Sequence, residues 1–172
     1  MDDIEIRRLI ENRVQTAKKA NAIVVGVLDE KGQRIISTGQ SSKLHPQAPD
    51  GDTVFEIGSI SKTFTAILLA DMVFKGEVQV DGPVSKYLPD AVKVTAYEGR
   101  AITLLDLTTQ TSALPRMPSS PYADYTVGQM YEFLSGLKLQ RAPGEKYGYS
   151  NLGVGLLGHF ATRSVRGPIR NS

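Results

Sequence analysis

The 172-residue chain contains no cysteine. Disulfides, thiolate metal sites and a cysteine nucleophile are therefore excluded. Histidine is nearly as scarce, with His45 and His159 far apart in the sequence. Neither sits in a recognisable nucleophile context for a Ser-His-Asp triad. A metal site needs several ligands, and no ligand spacing is present, so no metal and no cofactor are expected. Excess charge of one sign is also missing: 20 basic and 18 acidic residues are interspersed, for a formal net charge of +2. That balance offers nothing to a nucleic acid. Long apolar runs are missing too. The most apolar stretch, Phe64 to Phe74, contains Asp71 and is too short to span a bilayer. The N-terminus, Met-Asp-Asp-Ile-Glu, has no basic segment followed by an apolar run. No signal peptide is visible, so the sequence as it stands is expected to be cytoplasmic and to have no membrane partner.

What is present is an ordinary globular composition, 41% hydrophobic and 22% charged, long enough for one domain with a core. Asp2 to Lys19 reads as an amphipathic helix, with Ile6, Leu9, Ile10, Val14 and Ala17 on one face. Its acidic start and basic end suit the helix dipole. Ala22 to Leu28 is short and β-branched, and Gln33 to Thr38 reads as its hairpin partner across an Asp-Glu-Lys-Gly turn. Such a hairpin needs cover on at least one face. Residues 39–52 read as a surface loop. Ile60 to Phe74 is apolar on nearly every face and stops at Gly76, which predicts a buried central helix. Thr103 with Asp106, and Thr126 with Gln129, are capping boxes that open helices over 104–109 and 127–137. Between them lies a long loop rich in Pro and Ser. A last helix is predicted over about 151–161. The polar, basic tail from Arg163 shows no period and reads as disordered.

Two places match Ser-x-x-Lys: Ser59 with Lys62, and Ser135 with Lys138. About one chance match is expected in a chain of this length, so context must separate them. Ser135 stands late in a helix before Gly136, where a solvent-facing serine and a cation near the helix C-terminus account for it. Ser59 stands where an extended segment passes through Gly58 into the apolar helix. Free N–H groups and the positive end of a helix dipole would favour an oxyanion there. Lys62 falls on the same face one turn on, and apolar neighbours (Phe55, Ile57, Phe64, Ile67) would desolvate it, as a lysine base requires. The plainer alternative is that Ser59 is an N-cap and Lys62 an exposed residue of the first turn. A third group, Tyr149-Ser150-Asn151, precedes the last helix. By itself it reads as a packed tyrosine with Asn151 as N-cap.

Four segments then occur in order: FEIGSISKTFTA, GEVQVDGPVSKYLP, ITLLDLTTQTSALPR and PGEKYGYSNLGVGLLG. Together they resemble the class C β-lactamase and penicillin-binding-protein family, which includes serine esterases and D-alanyl-D-alanine peptidases. The likeness runs from about Ile4 to Gly158. It implies an α+β fold of the β-lactamase/transpeptidase type: an antiparallel sheet flanked by helices, plus a mostly helical region, with the site between them. The divisions expected are 1–40 for the N-terminal helix and hairpin, 41–162 for the helical region, and 163–172 for the tail. The resemblance implies Ser59 as the acylated nucleophile and Lys62 as the acceptor of its proton. It makes Tyr149 the acid/base partner of Lys62, and Asn151 the residue that binds the substrate amide and helps hold Lys62. The backbone N–H of Ser59 would supply half of an oxyanion hole. The substrate class is a small acyl compound: a β-lactam, an ester or a D-alanyl peptide.

The sequence departs from the family pattern. Neither Lys-Thr-Gly nor His-x-Gly, the family's third motif, occurs in it. The resemblance places that motif on a later strand that lines the pocket and gives the second oxyanion donor, so the chain is expected to be C-terminally truncated and its turnover impaired. Without the later strands the Ala22–Leu28 strand has an open edge, a site for pairing. Two readings therefore stand: a serine hydrolase working through an acyl-Ser59 intermediate, and a non-catalytic homologue that binds ligand or self-associates through the strand edge. Gln110 and Ala113 stand where relatives typically carry His and Gly, and Gly82 where Asp is usual. These are read as loop differences without catalytic meaning.

Overall fold

A computed structural model of the chain describes residues 1–42, 44, 46–118 and 125–165, with side chains to Thr162. His45 and the tail beyond Val165 lie outside the described residues. The chain divides into two compact units, Met1–Glu56 and Ile57–Ser172.

In the first unit, α1 spans Asp3–Glu11. Asp2 caps it by accepting the Glu5 N–H at 2.7 Å, and Asp3 and Glu5 put negative charge at the positive end of the dipole. Ile6 and Ile10, one turn apart, are buried. The continuous helix expected to Lys19 does not form. A π-helical turn takes over at Asn12–Thr16 and Lys18 has a φ of +48°. The wider turn rotates the later positions off the buried face, leaving Val14 half-buried and Ala17 exposed. The strands β1 (Ala22–Asp29) and β2 (Gly32–Gly39) pair antiparallel from Ala22↔Gly39 to Asp29↔Gly32. Ile36 of β2 packs with Ile6 and Ile10, joined by Ile23, Val25 and Val27 at every second position of β1. The helix thus supplies the cover that the hairpin requires on one face. Among the described residues the sheet has these two strands alone, so β1 has one unpaired edge.

Among the described residues the second unit has the α-helices α2 (Ser61–Phe74), α3 (Leu104–Thr108), α4 (Val127–Gly136) and α5 (Asn151–Val165). Both expected capping boxes are present, Thr103 with Asp106 and Thr126 with Gln129. The helix α5 runs on past the expected end. It packs against α2 and α3. Its Leu152, Leu156, Leu157 and Phe160 are fully buried, and they form the core with Leu69, Met72, Val84, Leu104, Leu107 and Leu134. Among the described residues no helix is long and apolar enough to cross a membrane.

The helix α2 corrects the expectation of burial on all faces. Only Leu69 and Met72 are buried, while Ile60, Phe64 and Ile67 are 62%, 62% and 60% exposed and Phe74 is 91% exposed. The period of apolar residues reports what a helix can bury, not what is there to bury it. Here α5 covers one side of α2.

The segment after α3 is anchored by Asp106, which is nearly inaccessible. Its carboxylate accepts from the Thr103 N–H (2.9 Å), the Thr103 hydroxyl (2.8 Å) and Arg100 Nη2 (3.3 Å), and its carbonyl accepts the Thr111 N–H (2.9 Å). Removing a buried acceptor strands its donors. Asp106→Ala is expected to lower the unfolding free energy by about 2–4 kcal/mol in urea titration. Asp106→Asn, which keeps an acceptor oxygen, is expected to lose less. A loss under about 0.5 kcal/mol for the alanine variant would contradict the anchoring role.

Candidate active site

The chain enters α2 through a single 3-10 turn, Gly58–Ile60. Gly58 has a φ of +52°, the left-handed region that glycine enters without cost. This bend, together with the 3-10 turn, sets the direction of Ser59. Ser59 is not a helix cap: the N-cap position of α2 is Ile60, with no side-chain cap bond. Instead the Ser59 Oγ lies 2.7 Å from Tyr149 Oη and accepts from Lys62 Nζ at 3.1 Å. The Ser59 N–H has no backbone acceptor among the described residues. The three groups named from the sequence are therefore brought together, with Ser59 and Tyr149 separated by 90 positions.

Tyr149 is held from both sides. Ser150, rather than Asn151, makes the N-cap bond of α5: its Oγ accepts the Gly153 N–H at 2.9 Å and donates to the Pro115 carbonyl at 2.7 Å. The Asn151 N–H donates to the Arg116 carbonyl at 2.9 Å. The Asn151 carboxamide makes no hydrogen bond to Lys62. It stands half-buried at the start of α5. The second Ser-x-x-Lys pair separates cleanly from the first. Ser135 and Lys138 share no hydrogen bond; Ser135 is exposed. His159 stacks edge-on against Tyr131, 5.6 Å between ring centroids. Among the described residues no cluster could hold a metal ion.

Two further participants are Arg116, which was not singled out from the sequence, and Gln110, which was read there only as a loop difference. Arg116 places its guanidinium 5.2 Å from the Tyr149 ring centroid, while Lys62 Nζ lies 5.1 Å from it. Both are within cation–π range. Gln110 accepts from the Gly148 N–H through its carbonyl (2.7 Å) and from the Ser150 N–H through its side-chain oxygen (2.6 Å). In the sequence Arg116 is marked only as the last residue of the segment ITLLDLTTQTSALPR.

The electrostatic consequence falls on the phenol. The Lys62 ammonium, then the Ser59 hydroxyl, and more weakly the charge of Arg116, hold the Tyr149 phenol below the ordinary tyrosine range. The cations that face Tyr149 thus favour its ionised form, whereas the resemblance made Lys62 the acceptor of the serine proton.

A structure of this form defines a fold class, the β-lactamase/transpeptidase type. Over 97% of this chain it superposes on 51% of a β-lactamase/D-alanine carboxypeptidase from Yersinia pestis complexed with citrate, at a TM-score of 0.81 and 26% identity. In sequence, the chain is 35% identical over 144 residues to the D-alanyl-D-alanine-carboxypeptidase/endopeptidase AmpH of Escherichia coli strain K12, covering 80% of this chain and 37% of that protein. It is 32% identical over 167 residues to a β-lactamase of Pseudomonas fluorescens, covering 95% of this chain and 46% of that one. The family model described as Beta-lactamase matches residues 6–167. The chain belongs to the β-lactamase family, and it spans about half the length, or less, of these relatives.

If Lys62 sets the phenol's ionisation, Lys62→Met raises the midpoint of Tyr149. The measurement is an ultraviolet alkaline titration, with the same titration of a Tyr149→Phe background subtracted. The parent is expected to give a midpoint below that of an ordinary tyrosine, and Lys62→Met one shifted upward. An unchanged midpoint in Lys62→Met would remove the lysine from this role.

Proposed function

We propose that the chain carries the acylating half-site of a serine hydrolase, acting on a small acyl substrate such as a β-lactam, an activated ester or a D-alanyl peptide. The single observation that carries the reading is the short contact between Ser59 Oγ and Tyr149 Oη, with Lys62 donating to the same Oγ. A lysine ammonium has donors and no acceptor, so it leaves the serine proton facing the phenol oxygen. A phenolate at Tyr149 takes that proton as Oγ forms its bond to the substrate carbonyl carbon. The negative charge moves to the carbonyl oxygen, next to the Ser59 N–H. On collapse the C–N or C–O bond breaks, and the Tyr149 hydroxyl returns the proton to the departing nitrogen or oxygen. Lys62 lies beside the reacting oxygens at both anionic stages. Asn151, half-buried at the start of α5, would bind the substrate amide.

The Ser59 N–H is one oxyanion donor, and such a donor typically supplies about a hundred- to a thousand-fold in rate. Intact-protein mass after incubation with a β-lactam and with an activated ester tests the reading. The parent should gain one acyl adduct, Ser59→Ala none, and Ser135→Ala as much as the parent. Equal loss in both serine variants, or no adduct on a folded parent, would refute it.

A second reading rests on a different observation in the first unit. Among the described residues each strand of the hairpin has one unpaired edge; that of β1 is the one considered, because its residues Ala22 to Leu28 include no charge and no proline to block pairing. Self-association through that edge predicts a mass by light scattering that rises with concentration. A monomeric mass throughout would dismiss it.

A further inference from the structure

We propose that Gln110 is the positioning residue of the reacting phenol, clamping the backbone on both sides of Tyr149 so that Oη stays on Ser59. The inference rests on the role proposed above for Tyr149. It concerns a residue that the sequence presented only as a loop difference.

One residue makes two bonds that flank the tyrosine. The Gly148 N–H donates to the Gln110 carbonyl at 2.7 Å, and the Ser150 N–H donates to the Gln110 Oε1 at 2.6 Å. Ser150 is 1% exposed, so water is poorly placed to replace a lost acceptor. The other bonds holding this segment, Ser150 Oγ to the Pro115 carbonyl and the Asn151 N–H to the Arg116 carbonyl, end on backbone acceptors. Among these contacts the Gln110 carboxamide is the side-chain acceptor, which a substitution removes without altering the segment that carries Tyr149.

Gln110 is itself fixed. Its φ is +63°, a left-handed conformation that a residue with a Cβ holds only when its surroundings impose it. Those surroundings are visible. The Thr111 N–H donates to the Asp106 carbonyl at 2.9 Å, and the Thr111 carbonyl accepts the Gly144 N–H at 2.8 Å. The support therefore runs from buried Asp106 through Thr111 and Gln110 to the two amides beside Tyr149. Local strain held at this point by long-range bonds is what positions a reacting group.

The charged groups that face the phenol are Lys62 from α2 and Arg116 from the loop before Tyr149. Their effect depends on distance, so a drift of the segment is readable as a change in the phenol's ionisation without any turnover. Gln110→Met fills the same space and lacks the oxygen acceptor. Gln110→His restores an acceptor, a ring nitrogen that is neutral at the alkaline pH of the titration.

The experiment is the Tyr149 difference titration in the full chain, with Tyr149→Phe subtracted in each background, alongside a thermal melt and the acylation rate of Ser59. Gln110→Met is expected to raise the phenol midpoint toward that of an ordinary tyrosine. It is also expected to slow acylation about a hundredfold, the scale for a misplacement of about 1 Å. Gln110→His is expected to keep the parent midpoint. An unchanged midpoint in folded Gln110→Met overturns the proposal, as does an equal rise in both variants. Should Gln110→Met show no cooperative melt, Gln110→His decides alone: the parent midpoint supports the clamp and a raised one overturns it. Absence of an acyl adduct on the parent would count against the hydrolase reading while leaving the titration to judge Gln110.

Discussion

The 2.7 Å contact between Ser59 Oγ and Tyr149 Oη joins two segments that are 90 positions apart, and the second unit is organised so that both oxygens arrive there. Each residue stands just before a helix, Ser59 before α2 and Tyr149 before α5, and those helices pack on each other. Leu69 and Met72 share one apolar core with Leu152, Leu156 and Phe160, which makes the N-terminal ends of both helices rigid supports. The polar chemistry at the surface is thereby tied to a close-packed interior, where small displacements are resisted. Loops alone would not hold two hydroxyls in contact at that distance.

The charges act on this geometry rather than create it. Two cations, Lys62 and Arg116, lie near the Tyr149 ring, and Lys62 also reaches the serine. Together they favour the ionised phenol. The backbone contributes the open N–H of Ser59. In the proposed reaction Ser59, Lys62, Tyr149 and Arg116 would supply the nucleophile, the base, the electrostatic stabilisation and one oxyanion donor.

Much of this was legible in the sequence, for identifiable reasons. Thr103 with Asp106 and Thr126 with Gln129 are local signals, and both helices start where those boxes place them. The strands of the hairpin follow from β-branched residues around a turn. Ser59 stood out by Gly58 before it and the apolar helix after it, and the resemblance of four ordered segments to a known family brought Tyr149 to it. The residues that escaped are those whose role depends on a distant partner. Gln110 bonds a residue 40 positions away, and nothing local distinguishes its carboxamide from that of any loop glutamine. The exposure of Phe64 and Ile67 escaped because an apolar pattern carries no information on how much chain is present to cover it. The π-helical turn at Asn12–Thr16 escaped because no glycine or proline marks it.

The central claim is that Tyr149, lowered in its ionisation by Lys62, receives the Ser59 proton. The direct measurement is the pH dependence of Ser59 acylation by an activated ester, set against the titration of the Tyr149 phenol in the same protein. The rate is expected to rise with pH through an inflection coinciding with the phenol midpoint, below the range of an ordinary tyrosine, and to lose that inflection in Tyr149→Phe. An inflection that persists in Tyr149→Phe, or a rate without any step at the phenol midpoint, would contradict it.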